Sequence, residues 1–212
     1  VYRIIVLTLV LSGCAAHLPV FRGVEPARQF RSLNELLYAA NVTAGDVSAY
    51  LAALPRWRQV NEATRLDAGR QEILWTLAAG NAPYTPADLV APDAPALVTV
   101  PYRGQNNQLA YRRFQKVFYR QHDGTLAGFN VSGAAWFAGP GYYTVATGAT
   151  GLYVDYTKVP TERPAGQAEI EPNGFPVYGG MQDYLRRVYG DVLIGRAFKN
   201  GEATGNYFVL AR

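Results

Sequence analysis

The side chains that could do chemistry are few in this 212-residue chain: one cysteine, Cys14, two histidines, His17 and His122, and four serines. A Ser/His/Asp arrangement would require Ser132 and His122 to converge, but Ser132 sits in Asn130-Val131-Ser132-Gly133, not in the Gly-x-Ser-x-Gly turn that exposes a hydrolase nucleophile. Zinc would have to rely on carboxylates alone, so no metal site is expected. Gly139-Pro140-Gly141 lacks the Gly-Lys-Ser/Thr of a phosphate loop and reads as a turn. Two carboxylates offer more. Asp155, in Tyr153-Val154-Asp155-Tyr156, lies opposite Val154 on a strand and, if buried, needs a cation such as Arg186 or Arg187. Asp183 precedes Arg186 by three residues. In Met181-Gln182-Asp183-Tyr184-Leu185-Arg186-Arg187-Val188 the apolar stripe Tyr184, Leu185, Val188 predicts a short helix, with Asp183 at its N-terminus and both charged groups in structural roles.

The densest feature is aromatic. The fifteen tyrosines are concentrated in the C-terminal half, with Trp136 and Phe208 among them. Tyrosine has a broad apolar face and a polar tip, so it lines ligand pockets and packs sheets alike. The candidate ligand-binding set is Trp136, Tyr143, Tyr153, Asp155, Tyr184 and Arg186; no catalytic residue and no cofactor are expected.

Elements positioning these residues follow from periodicity. Ser32-Leu33-Asn34-Glu35 reads as a capping box, and Thr43-Ala44-Gly45-Asp46 opens a second helix with Val47, Tyr50, Leu51 and Leu54 on one face, stopped by Pro55. A third runs from Asp67 to Ala79 with Ile73, Leu74 and Leu77 inward, and Thr85-Pro86-Ala87-Asp88 caps a last turn. Ala-Pro-Asp-Ala-Pro at 91–95 ends the helical texture. Beyond it, short aromatic and β-branched runs predict strands near 97–101, 112–120, 126–131, 141–147, 151–157, 175–178, 192–198 and 206–211. The Pro/Gly-rich stretch 158–174 is a long loop of the kind that carries function. The expected fold is α+β, an N-terminal helical segment (32–90) packed on a C-terminal antiparallel β-sheet or partial barrel (96–212).

Ahead of these lies Arg3, an apolar run from Ile4 to Leu11, and small residues before Cys14. The run is shorter than the roughly 20 apolar residues of a membrane span and reads as a signal peptide over 1–13. Leu11-Ser12-Gly13-Cys14 resembles a bacterial lipobox. That resemblance implies cleavage before Cys14, diacylglycerol on its sulfur and an acylated amino group, with 14–31 as a lipidated tether. Ala15 in the next position implies the outer membrane, facing the periplasm. The alternative is an ordinary signal cleaved after Ala15 or Ala16. Net charge is +4 without a basic stripe, so no nucleic-acid partner is expected.

The last 36 residues, with Val177-Tyr178, Asp183-Tyr184-Leu185-Arg186-Arg187-Val188, Leu193-Ile194-Gly195 and a closing Tyr207-Phe208-Val209-Leu210-Ala211-Arg212, resemble the end of small bacterial β-domains paired with a Gly-x-Trp-x-Gly motif. The motif itself is absent. The resemblance implies a lipocalin-like barrel ending and a strand through Asp183 and Arg186, and no reaction. Three functions are consistent with the sequence: an envelope protein anchored to the membrane by lipid that binds an apolar or amphipathic small molecule; an interaction lipoprotein docking a protein partner through its helices; and a hydrolase or isomerase using Asp155 or Asp183 with an arginine. Cys14→Ala is expected to abolish acyl-chain labelling and release the protein from membranes; unchanged retention, with no acyl mass on the wild type, would refute the lipobox reading.

Overall fold

A computed structural model describes residues 29–108, 112–133, 139–173 and 177–212. The lipobox with Cys14, most of the tether, and Trp136 lie outside the described residues. Among the described residues five short α-helices come first: α1 (Leu33–Leu36), α2 (Ala44–Ala52), α3 (Arg56–Ala63), α4 (Ala68–Leu77) and α5 (Pro86–Leu89). Eight strands follow: β1 (Val100–Asn106), β2 (Arg113–Arg120), β3 (Leu126–Ser132), β4 (Tyr143–Gly148), β5 (Gly151–Asp155), β6 (Met181–Tyr189), β7 (Val192–Lys199) and β8 (Glu202–Ala211). Each pairs antiparallel with its sequence neighbour, and β8 returns to β1 through Arg103↔Ala211 to Asn106↔Phe208, so the sheet closes into a barrel.

The expected α+β fold with a sheet or partial barrel is therefore corrected. The strands leave no free edge, and the helices are segments of four to ten residues laid on a complete barrel. β6 is absent from the strands that periodicity predicts, and this stretch is expected as a short helix instead. Its inward positions Met181, Asp183 and Leu185 alternate with outward Gln182, Tyr184 and Arg186, and β-pairing on both sides overrides the helical stripe. The strand expected at 175–178 does not form at Val177 and Tyr178, which lie in a turn.

Helix starts obey local capping. Thr43 accepts from the Asp46 amide while the Asp46 carboxylate accepts from the Thr43 amide; at α5 the Asp88 carboxylate accepts from both the amide and the hydroxyl of Thr85, and the Asp88 amide donates to the Thr85 carbonyl. At Ser32 the box is half made, because the Glu35 carboxylate takes the Arg31 amide instead. In α4 the buried face is Gln71, Leu74 and Trp75, and Ile73, expected inward, is 38% exposed. Leu33, Leu36, Val47, Leu51 and Leu74 pack with the outward-facing Val188, Ile194, Tyr207 and Val209 of β6, β7 and β8. The helices thus spend their apolar faces on the barrel wall.

The wall formed by β2 and β3 is covered by the segment 156–173. Val159 and Ile170 pack on Val117, Tyr119, Phe129 and Tyr142; the Tyr119 and Tyr142 hydroxyls donate to the Glu162 and Ala168 carbonyls, at 2.6 Å each. One end of the barrel is closed by Tyr84, Leu89 and Val90, which join Tyr102, Phe118, Leu152, Leu193 and Leu210 in an apolar interior layer. Tyr84 donates to Asp191, itself held by Arg212 and Arg56.

Interior rings are seated by glycines on neighbouring strands. A Cβ at Gly104 would collide with the ring of Phe114, one at Gly128 with Tyr143 and the Val117 carbonyl, and one at Gly195 with Phe208. Gly128→Ala is expected to lower stability by about 1–3 kcal/mol or more, since the obstructing carbonyl cannot rotate away. Gly133→Ala, where nothing stands within 4 Å, should stay within about 0.5 kcal/mol. Urea denaturation of the two variants checks this.

Candidate binding cavity

Alternation on β2 places Phe114, Lys116 and Phe118 inside the barrel, and on β6 it places Asp183 inside between Met181 and Leu185. Lys116 is 1% exposed and Asp183 5%. A buried ammonium needs acceptors for all three protons. Lys116 Nζ finds them in Asp183 Oδ2 at 2.9 Å, Tyr156 Oη at 2.5 Å and Asn130 Oδ1 at 3.3 Å. Asn130 Nδ2 in turn donates to Tyr156 Oη at 2.8 Å. Four rings surround the ammonium: Tyr143 at 4.9 Å, Tyr156 at 5.0 Å, Phe208 at 5.2 Å and Phe114 at 5.9 Å to the centroids. Three of these rings are the ones seated by glycines.

Burial pushes the Lys116 ammonium below its ordinary value, with the Asp183 charge and hydrogen bond opposing the shift. Burial also raises the phenols of Tyr143 and Tyr156 well above the usual 10, and the Asp183 charge adds to both. The phenols stay protonated throughout the physiological range.

Above this cluster the interior is not filled. A cavity of about 410 Å³ opens toward the end of the barrel away from the Tyr84 plug. Lys116, Asn130, Asp183 and Tyr156 form its polar part, and Phe114, Phe208, Met181 and Tyr178 its apolar part; Asn106, Ser132, Lys199, Thr204 and Asn206 also line it. Tyr178 comes from the covering loop and stacks on Tyr156 at 4.9 Å and 16°. Asn173 helps to fix that loop, donating to the Tyr142 and Tyr156 carbonyls.

The sequence-derived candidates divide. Tyr143 is interior; it walls the ammonium and donates to the Val117 carbonyl at 3.0 Å. Tyr153 and Tyr184 stack at 5.3 Å on the outer wall, where Arg186 also lies. Asp155 is buried, yet its partner is Thr157, whose amide and hydroxyl both donate to Oδ1. Arg186 does not reach it and donates to the Trp75 carbonyl at 2.8 Å. Arg187 pairs with Asp88. Among the described residues neither Asp155 nor Asp183 meets an arginine. Asp183 sits mid-strand, not at a helix N-terminus. His122 meets Glu162 on the surface, away from Ser132 in the cavity wall. Among the described residues no three His, Cys, Asp or Glu side chains gather as for a metal, and no helix is long and apolar enough to cross a membrane.

The sequence reading passed over Lys116, Asn130 and Phe114. A signal was available: Phe114-x-Lys116-x-Phe118 and Met181-x-Asp183-x-Leu185 each put one charge on an apolar strand face, and the two charges are opposite.

The arrangement defines a barrel with one packed half and one cup-shaped half that has a buried, charge-balanced polar floor. A scan against protein-family models finds no match to the chain, and searches of curated proteins and of solved structures find none either.

Removing one member of a buried ion pair leaves the other charge uncompensated. Lys116→Met and Asp183→Leu are each expected to cost about 3–5 kcal/mol, whereas the double variant should recover most of that loss. Chemical denaturation of the three variants measures the coupling. Single losses below about 1 kcal/mol would mean that water already reaches the pair.

Proposed function

We propose that the protein binds a small apolar or amphipathic molecule inside its barrel, entering at the end opposite the Tyr84 plug. The observation that carries this reading is the 410 Å³ cavity beside a satisfied polar cluster in an otherwise packed interior. Eight-stranded barrels are just wide enough to be filled by side chains or to hold one small ligand, and here only the half near the plug is filled. Ligand sites typically span roughly 300–1,000 Å³, with apolar walls and a few fixed polar groups. Phe114, Phe208, Met181 and Tyr178 supply the walls; Asn130, Tyr156 and Asp183 supply the polar groups.

Charge balance narrows the ligand. Lys116 and Asp183 neutralise each other, so a charged head group driven against the buried floor of the cavity would meet no unbalanced charge there. A neutral hydroxyl or carbonyl group on an apolar body fits better. Leu11-Ser12-Gly13-Cys14 supports placing this binding in the cell envelope, with a lipid at Cys14 as the link to the membrane.

Met181 is the only methionine in the sequence and lines the cavity. Its ¹³C-labelled methyl resonance therefore reports on cavity occupation directly. Titration with 1-decanol should shift that resonance saturably, decanoate should bind more weakly, and Ala197→Phe should abolish the shift by occupying the cavity. Absence of a saturable shift with either compound would overturn the reading.

A further inference from the structure

The outer wall carries a second feature that the barrel interior does not explain. Tyr184 and Arg186 point outward from β6, and Arg196 and Phe198 from the neighbouring β7. The register sets Arg196 opposite Tyr184 and Ile194 opposite Arg186, so the two arginines are diagonal neighbours on one face. Both are half-buried, and they line a groove of about 250 Å³ together with Trp75, Tyr184, Phe198 and Gln182.

Most half-buried or clustered arginines here have an acid. Arg212 and Arg56 meet Asp191, Arg187 meets Asp88, Arg70 meets Asp67 and Arg163 meets Glu169. Arg186 and Arg196 have none among the described residues. The Arg186 guanidinium carbon lies 3.7 Å from the Trp75 ring centroid, and one Nη donates to the Trp75 carbonyl. Arg196 rests near the rings of Phe198 and Tyr207 at 5.5 and 5.3 Å, and its buried Nε has no hydrogen-bond partner. Burial and the Arg196 charge together lower the Arg186 guanidinium from its ordinary value. Two like charges are thus held in one partly desolvated groove with no acid beside them among the described residues, only the Trp75 carbonyl and aromatic rings. Arg65, Arg103 and Arg113 also share an acid-free hollow, but all three are exposed and water screens them.

We propose that Arg186 and Arg196 form an oxyanion-binding site on the outer wall of the barrel, distinct from the interior cavity, for a carboxylate or phosphate carried on a flat apolar body. Guanidinium groups match such anions with paired, charge-assisted hydrogen bonds. Their remaining donors and the unpartnered Nε supply these bonds, and the rings of Trp75, Tyr184 and Phe198 supply the surface for the apolar body.

The test is a titration of ¹⁵N-labelled full chain, following the arginine Nε–H resonances. Phenyl phosphate and benzoate should shift Arg186 and Arg196 saturably and raise the melting temperature, whereas benzyl alcohol should do neither. Arg186→Gln and Arg196→Gln should each weaken phenyl phosphate roughly tenfold or more, and Arg103→Gln should leave it unchanged. Arg196→Lys, which keeps the charge, should lose less than Arg196→Gln. Inorganic phosphate and phosphatidylglycerol vesicles separate the sources. Vesicle binding lost in Arg196→Gln assigns a lipid head group, and soluble phosphate esters binding without vesicles assign a free solute. Shifts that chloride reproduces at equal ionic strength, or that are equal at Arg103, overturn the proposal.

Discussion

A lysine ammonium inside a β-barrel is tolerable only if every proton is taken and the charge is balanced, and that requirement organises much of this structure. Lys116 on β2 needs Asp183 on β6, Asn130 on β3 and Tyr156 just past β5 at hydrogen-bonding distance together. Lys116 and Asn130 face each other on paired strands, and β5 adjoins β6, but β2 and β6 lie across the barrel from each other and their side chains meet only through the closed interior. The pair therefore depends on barrel closure, and it penalises any register shift. A slip of one residue in β2 or β6 would turn one charge outward and leave its partner buried alone.

Rings complete the enclosure, and glycine makes the rings possible. Phe114, Tyr143 and Phe208 each lie where a neighbouring strand carries no side chain, so a barrel this narrow can seat them beside the ammonium. Toward the plug the same inward positions hold close-packed leucine, valine and aromatic groups. Toward the open end they hold Asn106, Ser132, Thr204 and Asn206, too small and polar to fill the space. A single tube is thus divided into a core that stabilises and a cup that stays hollow, with the ion pair near the boundary.

The sequence made much of this legible. Capping at Thr43 and Thr85, strands β2, β3 and β7, and the covering loop can all be read from spacing, because each rests on neighbours within a few residues. Closure could not be read, because it depends on β8 finding β1 about a hundred residues away. β6 was misread for a related reason: Tyr184, Leu185 and Val188 satisfy a helical stripe when read alone, and only pairing with β5 and β7 selects the strand. Tyr184 enters the candidate ligand set as an aromatic and Arg186 as a cation for Asp155. They belong together, but on the outer wall, since position parity in β6 separates them from Asp183. Lys116 was overlooked because one lysine in a strand ordinarily reads as a solvent-facing residue.

Tyr178 forms one wall of the cup without belonging to any strand. It arrives on the loop between β5 and β6, which is fixed to the barrel by side-chain hydrogen bonds at Tyr119, Tyr142 and Asn173. Strand residues facing the cup are bound by ladder register and by their outward neighbours, so most changes there disturb two surfaces at once. The loop has no ladder to keep. Substitutions and length changes between its anchors can reshape the mouth while the barrel stays intact, which makes this segment the part of the chain where selectivity can diverge fastest between descendants of one ancestral barrel.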